Sequence, residues 1–172
     1  MDAQTPVRLR RASVEDIAFM MATERQPGFE WFIGQNDAAE HARVIAGPSS
    51  ATLLGLDAAG VPQGFAILKD LDDAQGNVYL QRIVIAAHGQ GFGRGLLDQV
   101  VEFVFSSTKA HRFWLHMKAG NHRAHRVYLQ AGFIEEGLLR QAMIAPDGGR
   151  MDSHVFSILR PEWSLRTASA TT

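Results

Sequence analysis

Gln90-Gly91-Phe92-Gly93-Arg94-Gly95 follows the apolar run Tyr79 to Ile85 and precedes Leu96, Leu97, Val100, Val101 and Val104 at helical spacing. The pattern reads as a strand, a glycine loop and an amphipathic helix. Glycines let backbone approach a ligand closely, and the first N–H groups of a helix lack acceptors at the positive end of its dipole. Such a turn suits phosphate oxygens. Two phosphate-loop patterns fail on spacing. A dinucleotide fingerprint needs a third glycine three places after the second, yet Gly89 and Gly91 lead to Arg94, and Gly91 and Gly93 lead to Leu96. Near position 111, where that fingerprint wants an acid, stand His111 and Arg112. A P-loop needs Gly-Lys-Ser/Thr, which nothing after Gly89 or Gly91 supplies. Gln-x-x-Gly-x-Gly remains.

Upstream, Val7 to Arg10 predicts a strand, and Ser13 with Asp16 three residues on predicts a capped helix to about Thr23. Asp37 and Glu40 start a second helix that Gly47-Pro48 stops. Strands follow at Ala51 to Leu56, Gly64 to Leu71 and Asn77 to Ile85, divided by turn residues. Downstream, a strand from Arg112 to Met117, a helix from Asn121 to Ala131 ended by Gly132, and two strands around Pro146-Asp147-Gly148-Gly149 complete the order. Strand, two helices, meander, helix, strand, helix and hairpin make an α/β fold with a mixed, mostly antiparallel sheet. One domain is expected over residues 1–165, with 166–172 as a disordered tail.

With 172 residues, 46% hydrophobic and 20% charged, the chain is of single-domain size and globular composition. A net charge of -1 gives no global field for nucleic acid or an anionic membrane, so neither is expected as a partner. The absence of cysteine excludes disulfides, thiolate nucleophiles and thiolate metal sites. No basic start followed by an apolar run is present, and a cytoplasmic setting is expected. His122 and His125 stand one turn apart and read as solvated, while His111 and His116 point to opposite faces of one strand. No metal is expected.

The glycine loop, together with Asn121, Ala124, Tyr128 and Gly132-Phe133 after a strand, resembles the acetyl-CoA site of the GNAT acyltransferase superfamily. The resemblance runs closest to the ribosomal-protein alanine N-acetyltransferases, and its specific part covers Tyr79 to Gly137. It implies a GNAT-like fold, helices on both sheet faces, and acetyl transfer from acetyl-CoA to a primary amine in a ternary complex. The acceptor would be a small-molecule amine or a protein N-terminus, and the assembly a monomer or homodimer. A non-catalytic acyl-CoA-binding sensor is the alternative.

Carried over residue by residue, the resemblance assigns the cofactor pyrophosphate to Gln90, Gly91, Phe92, Gly93, Arg94, Gly95 and Leu96. It assigns the pantetheine arm and acyl carbonyl to the backbone of Ile83, Val84 and Ile85, with their N–H groups as oxyanion donors. Asn121 and Tyr128 lie on one helix face, roughly 10 Å apart along the axis at 1.5 Å per residue. Asn121 reads as a ligand of the arm or as a plain N-cap. Tyr128 reads as the general acid for the departing thiolate or as a core aromatic. The family's motif glutamate, five residues before the asparagine, is His116 here. Its imidazole is a candidate general base, or a strand histidine satisfied by backbone. Gln81, where some members carry a basic glutamate, cannot take that proton. Phe29, Trp31 and Phe32 are candidates for the acceptor pocket or for the core, and Glu30 for meeting a cationic amine.

Overall fold

The structure, a computed structural model, describes residues 6–86 and 91–170, excepting the side chains of the last two. Among these residues seven strands form one sheet: β1 (Arg8–Arg11), β2 (Ala51–Leu56), β3 (Pro62–Lys69), β4 (Asn77–Ile85), β5 (Arg112–Lys118), β6 (Ile134–Ile144) and β7 (Arg150–Leu159). Their order is β1-β2-β3-β4-β5-β7-β6. The β4–β5 pair is parallel and the other pairs are antiparallel. This is the mixed, mostly antiparallel sheet expected, with β2 and β4 falling on the expected residues.

Among the described residues five α-helices accompany it: α1 (Ile17–Glu24), α2 (Ala38–Ala46), α3 (Phe92–Ser107), α4 (His122–Gln130) and α5 (Arg160–Ala170). Alternation along the strands sends successive side chains to two cores. Leu53, Ala66, Leu68, Val78 and Leu80 pack with Leu97, Val100 and Val104 of α3 and Tyr128 of α4. Leu54, Phe65, Ile67 and Val84 turn the other way, onto Met20 of α1 and Val44 of α2. Both faces are thereby covered, which is why β2 and β3 read as near-continuous apolar runs. Asp37 caps α2, its carboxylate accepting from the Glu40 N–H at 2.8 Å, as its sequence signature predicts. None of the helices, among the described residues, is long and apolar enough to cross a membrane.

The expected tail from Arg166 is corrected over its described part. α5 runs on to Ala170, and the Arg166 guanidinium donates to the Ala131 carbonyl at the end of α4. At the start of α5, Arg160 donates to the carbonyls of Phe105 (2.7 Å), Thr108 (3.0 Å) and Ala110 (2.7 Å). These carbonyls lie where α3 ends, and the end of a helix leaves acceptors without intrahelical partners. Trp163 stacks on Phe105 with centroids 5.3 Å apart. Tertiary contact holds a helix that local propensity alone does not announce.

Two irregularities open the sheet. β4 and β5 pair from Asn77↔Arg112 to Leu80↔Leu115 and no further, although β4 continues to Ile85 and β5 to Lys118. Each strand keeps its outer partner, β3 or β7, so the two diverge as a wedge. The divergence begins where β4 slips register against β3, Ile67 facing Arg82 and Leu68 facing Leu80, which leaves Gln81 as the extra residue of a bulge.

Candidate functional site

The wedge is the mouth of a cleft of about 800 Å³. Its walls are β4 from Tyr79 to Ile85, the end of β5, the start of α3, one face of α4, and the loop between α1 and α2. Beyond Leu80, every second residue of β4 directs its N–H and C=O toward a strand that has moved away. Ile83, Val84 and Ile85, assigned to the cofactor arm from sequence, all line this gap.

At the mouth of α3, Gly91 is the N-cap with φ of 71°, in the left-handed region that favours glycine. The N–H groups of Arg94 and Gly95 already bond to the Gly91 carbonyl at 3.1 and 3.2 Å. Phe92 and Gly93 precede them in the first turn, and both line the cleft. A Cβ at Gly93 would sit 3.3 Å from Ile85 Cγ1, so glycine here brings α3 close against β4. The sequence assignment needs trimming: Gly95 and Leu96 are buried and do not line the cleft. Leu96 is a core residue at 0% exposure. Arg94 lines the cleft, but its Nε is held by both Asp98 carboxylate oxygens at 2.8 Å. Gln90 lies outside the described residues.

Asn121 caps α4, its Oδ1 accepting from the Ala124 N–H at 3.1 Å, and it also lines the cleft. The carbonyl is thus engaged by the helix, which leaves the amide NH2 to meet a ligand. One face of α4 carries Ala124, Val127 and Tyr128 into the same cleft. Tyr128 is 8% exposed, its ring set against Phe133 and Phe156 at centroid distances of 5.9 and 5.7 Å. Burial, with a smaller contribution from Tyr79, pushes its phenol well above the ordinary value. It therefore stays protonated at neutral pH.

His116 enters from the opposite face. Along β5, Phe113, Leu115 and Met117 join the core that holds Tyr128. Trp114, His116 and Lys118 alternate with them and leave from the other side. The His116 ring meets Trp114 and Tyr79 edge-on, at 4.9 and 5.9 Å between centroids. Its Nδ1 is buried without a hydrogen-bond partner. Desolvation lowers its pKa below the ordinary histidine value, so neutral imidazole predominates at pH 7. The cleft thus reaches the wedge from both faces, with Tyr128 on the α3–α4 side and His116 on the α1–α2 side.

The α1–α2 loop contributes Phe29, Phe32 and Ile33 to the lining. Trp31, 46% exposed, and Glu30, also exposed, do not line the cleft. No local pattern in the sequence signals what lies beneath this loop. Glu24, fully buried at the end of α1, accepts from the Asn36 N–H at 3.1 Å, contacts His41 Nε2 at 3.1 Å and pairs with the Arg82 guanidinium. Arg82 lines the cleft, as does Tyr79. An acidic residue at the end of an apolar helix, 58 residues from its partner, offers no local pattern. Strand alternation is the one signal for Tyr79. His122 is exposed and makes no cluster with His125 among the described residues.

A family model described as the Acetyltransferase (GNAT) family matches residues 17–133, more than half of the chain. The chain belongs to the GNAT family. The spermidine N(1)-acetyltransferase of Vibrio cholerae serotype O1 is 30% identical over 77 residues, which is 44% of this chain and 44% of that relative. The chain thus matches less than half the length of that curated relative. Among solved structures, a spermidine N-acetyltransferase from Vibrio cholerae in complex with CoA and spermine superposes with a TM-score of 0.81 at 21% identity. The match covers 91% of this GNAT chain and 97% of the other. A dodecameric form of spermidine N-acetyltransferase from Vibrio cholerae gives 0.77 at 21% identity, over 91% and 95% of the two chains. At such identity the likeness is one of fold. These matches fall on spermidine acetyltransferases rather than on the ribosomal-protein alanine acetyltransferases that the sequence resemblance favoured.

Proposed function

We propose that this chain transfers the acetyl group of acetyl-CoA to a primary amine by direct attack within a ternary complex. The observation that carries the reading is the wedge between β4 and β5, lined by a protonated tyrosine on one face and a neutral histidine on the other. The pyrophosphate would meet the Gly91–Gly93 turn, and the arm would run past Asn121 along Ile83 to Ile85. The attacking amine nitrogen forms a bond to the thioester carbonyl carbon, and the carbonyl oxygen takes the electron pair beside β4 backbone N–H groups. His116 removes the amine proton, directly or through a water. Collapse expels the thiolate, which takes the Tyr128 hydroxyl proton. A thiol's ordinary pKa of about 8.5 lies below that of phenol, so this proton moves as the C–S bond breaks, when the leaving sulfur is most basic.

The acceptor follows from charge. Among the described residues the cleft lining offers Lys118, Arg123 and His116 besides Arg82 and Arg94, which Glu24 and Asp98 already pair, and no aspartate or glutamate lines it. Lys118 shares the strand face of His116. A polyamine, the substrate class of the spermidine acetyltransferases, would bring further ammonium groups to this lining without a carboxylate to meet them. We therefore favour an amine on a neutral or anionic body, such as a peptide N-terminus or an amino acid. We further propose a cytoplasmic setting, which the lack of cysteine suits.

The test is thiol release from acetyl-CoA across a panel of spermidine, amino acids and short peptides, with product mass measured. Transfer to peptides or amino acids in preference to spermidine is expected. Preference for spermidine would favour the polyamine reading. Binding of acetyl-CoA without thiol release for any amine would favour a non-catalytic acyl-CoA sensor.

A further inference from the structure

Outside the cleft, three residues from three elements converge: His125 on α4, Glu135 on β6 and His154 on β7. His125 Nε2 lies 2.9 Å from Glu135 Oε2, and His154 Nδ1 lies 2.5 Å from Glu135 Oε1. One donor atom from each residue falls within 4.8 Å of the other two. We propose that His125, Glu135 and His154 form a binding site for one divalent cation of the zinc class.

The donor set decides the class. Two imidazole nitrogens and one carboxylate oxygen suit a borderline metal with a tetrahedral preference, and the fourth position is left to water. Bonds of about 2.0–2.2 Å in that geometry place ligand atoms roughly 3.3–3.5 Å apart. His125 Nε2 and His154 Nδ1 contact different oxygens of Glu135, so ligation through one of them brings donor atoms that already lie within 4.8 Å of one another to that spacing. The rings are held by packing: His125 meets Phe156 edge-on at 5.3 Å and His154 at 5.7 Å, and Phe156 is fully buried. Side-chain exposures of 30%, 32% and 23% leave an open approach for the ion.

Without an ion the same geometry is a carboxylate accepting from two imidazoles, and the hydrogen bonds from His154 and His125 keep Glu135 below its usual range. A cation takes the place of those two N–H groups, each ring then carrying its hydrogen on the nitrogen that does not ligate. None of the three residues lines the cleft. The site instead joins α4, which carries Asn121 and Tyr128, to the β6–β7 hairpin. Its expected effect is on the docking of that helix rather than on the chemistry.

The experiment titrates untagged, chelator-treated protein with Zn²⁺ and with Co²⁺, reading stoichiometry by calorimetry, coordination from the Co²⁺ visible spectrum, and Tm. One ion per chain, a tetrahedral Co²⁺ spectrum and a Tm rise of roughly 5–10 °C at a hundredfold excess over Kd are expected. His154→Gln and His125→Gln should each weaken binding tenfold or more, and His122→Gln should leave it unchanged. Should either variant fail to fold, the wild-type Co²⁺ spectrum decides alone. Absence of stoichiometric binding, an octahedral spectrum, or undiminished affinity in folded His154→Gln overturns the proposal.

Discussion

Replacing Glu24 by Gln changes one oxygen for an NH2 and leaves shape intact, at a carboxylate with no exposed surface. Glu24 Oε1 faces the Arg82 guanidinium, whose side chain is 10% exposed, while Oε2 faces both the Asn36 N–H and His41 Nε2 at 3.1 Å. An amide supplies one acceptor, so placing it toward Arg82 sets its NH2 against the Asn36 N–H, and the reverse orientation sets it against Arg82. His41 cannot relieve this freely, because its Nδ1 is already buried without a partner. Breaking a buried ion pair from one side costs about 3–5 kcal/mol. For a domain of this size, each kcal/mol is worth about 2–4 °C, so Tm should fall by roughly 6–20 °C. Urea denaturation and a thermal scan measure it. Arg82→Met added to Glu24→Gln should recover part of the loss, since the cost lies mainly in an uncompensated buried charge. A Tm within a few degrees of wild type in Glu24→Gln, or strict additivity in the double variant, would show that Glu24 holds no such buried ion pair.

Tyr128→Phe keeps the ring on Phe133 and Phe156, so the fold and acetyl-CoA affinity should persist while turnover drops by ~10²-fold or more, read by thiol release under chemistry-limited conditions. Because the phenol is pushed up by burial, that loss should be nearly constant between pH 6 and 9; wild-type turnover would leave Tyr128 a packing residue. For His116, whose pKa is lowered, the acid limb of the kcat/KM profile should fall below the ordinary ~6.5, since only neutral imidazole accepts the proton. His116→Gln should remove that limb, His116→Glu should restore turnover and move it, and an unaltered limb in folded His116→Gln would place the base elsewhere. Gly93→Val adds methyl groups where a Cβ already meets Ile85 at 3.3 Å, so the thermal shift given by acetyl-CoA should vanish in a still-folded variant. An unchanged shift would remove the pyrophosphate assignment.

What the sequence disclosed was local. The Asp37 cap, the glycine loop and the face of α4 are readable because their partners lie within one or two turns of chain. α5 escaped because Arg160, Trp163 and Arg166 hold it through residues of α3 and α4 that lie 30 or more positions away. The wedge escaped because the bulge at Gln81 is a relation between β4 and β3. Alternation alone assigns Gln81 a place in a regular strand. Gly95 and Leu96 fall inside α3 and off the cleft, and the Gly91 carbonyl takes the N–H groups of Arg94 and Gly95, a detail of φ that sequence spacing does not carry. His154, 29 residues from His125 in the chain, reached it only through the fold.

The most direct measurement is a crystal structure of the chain with CoA bound. The pyrophosphate is expected against the N–H groups of the Gly91–Gly93 turn, the arm in the gap between β4 and β5, and the sulfur within hydrogen-bond reach of the Tyr128 hydroxyl. CoA bound away from the wedge, or with its sulfur on the far side of β4 from Tyr128, would contradict this placement.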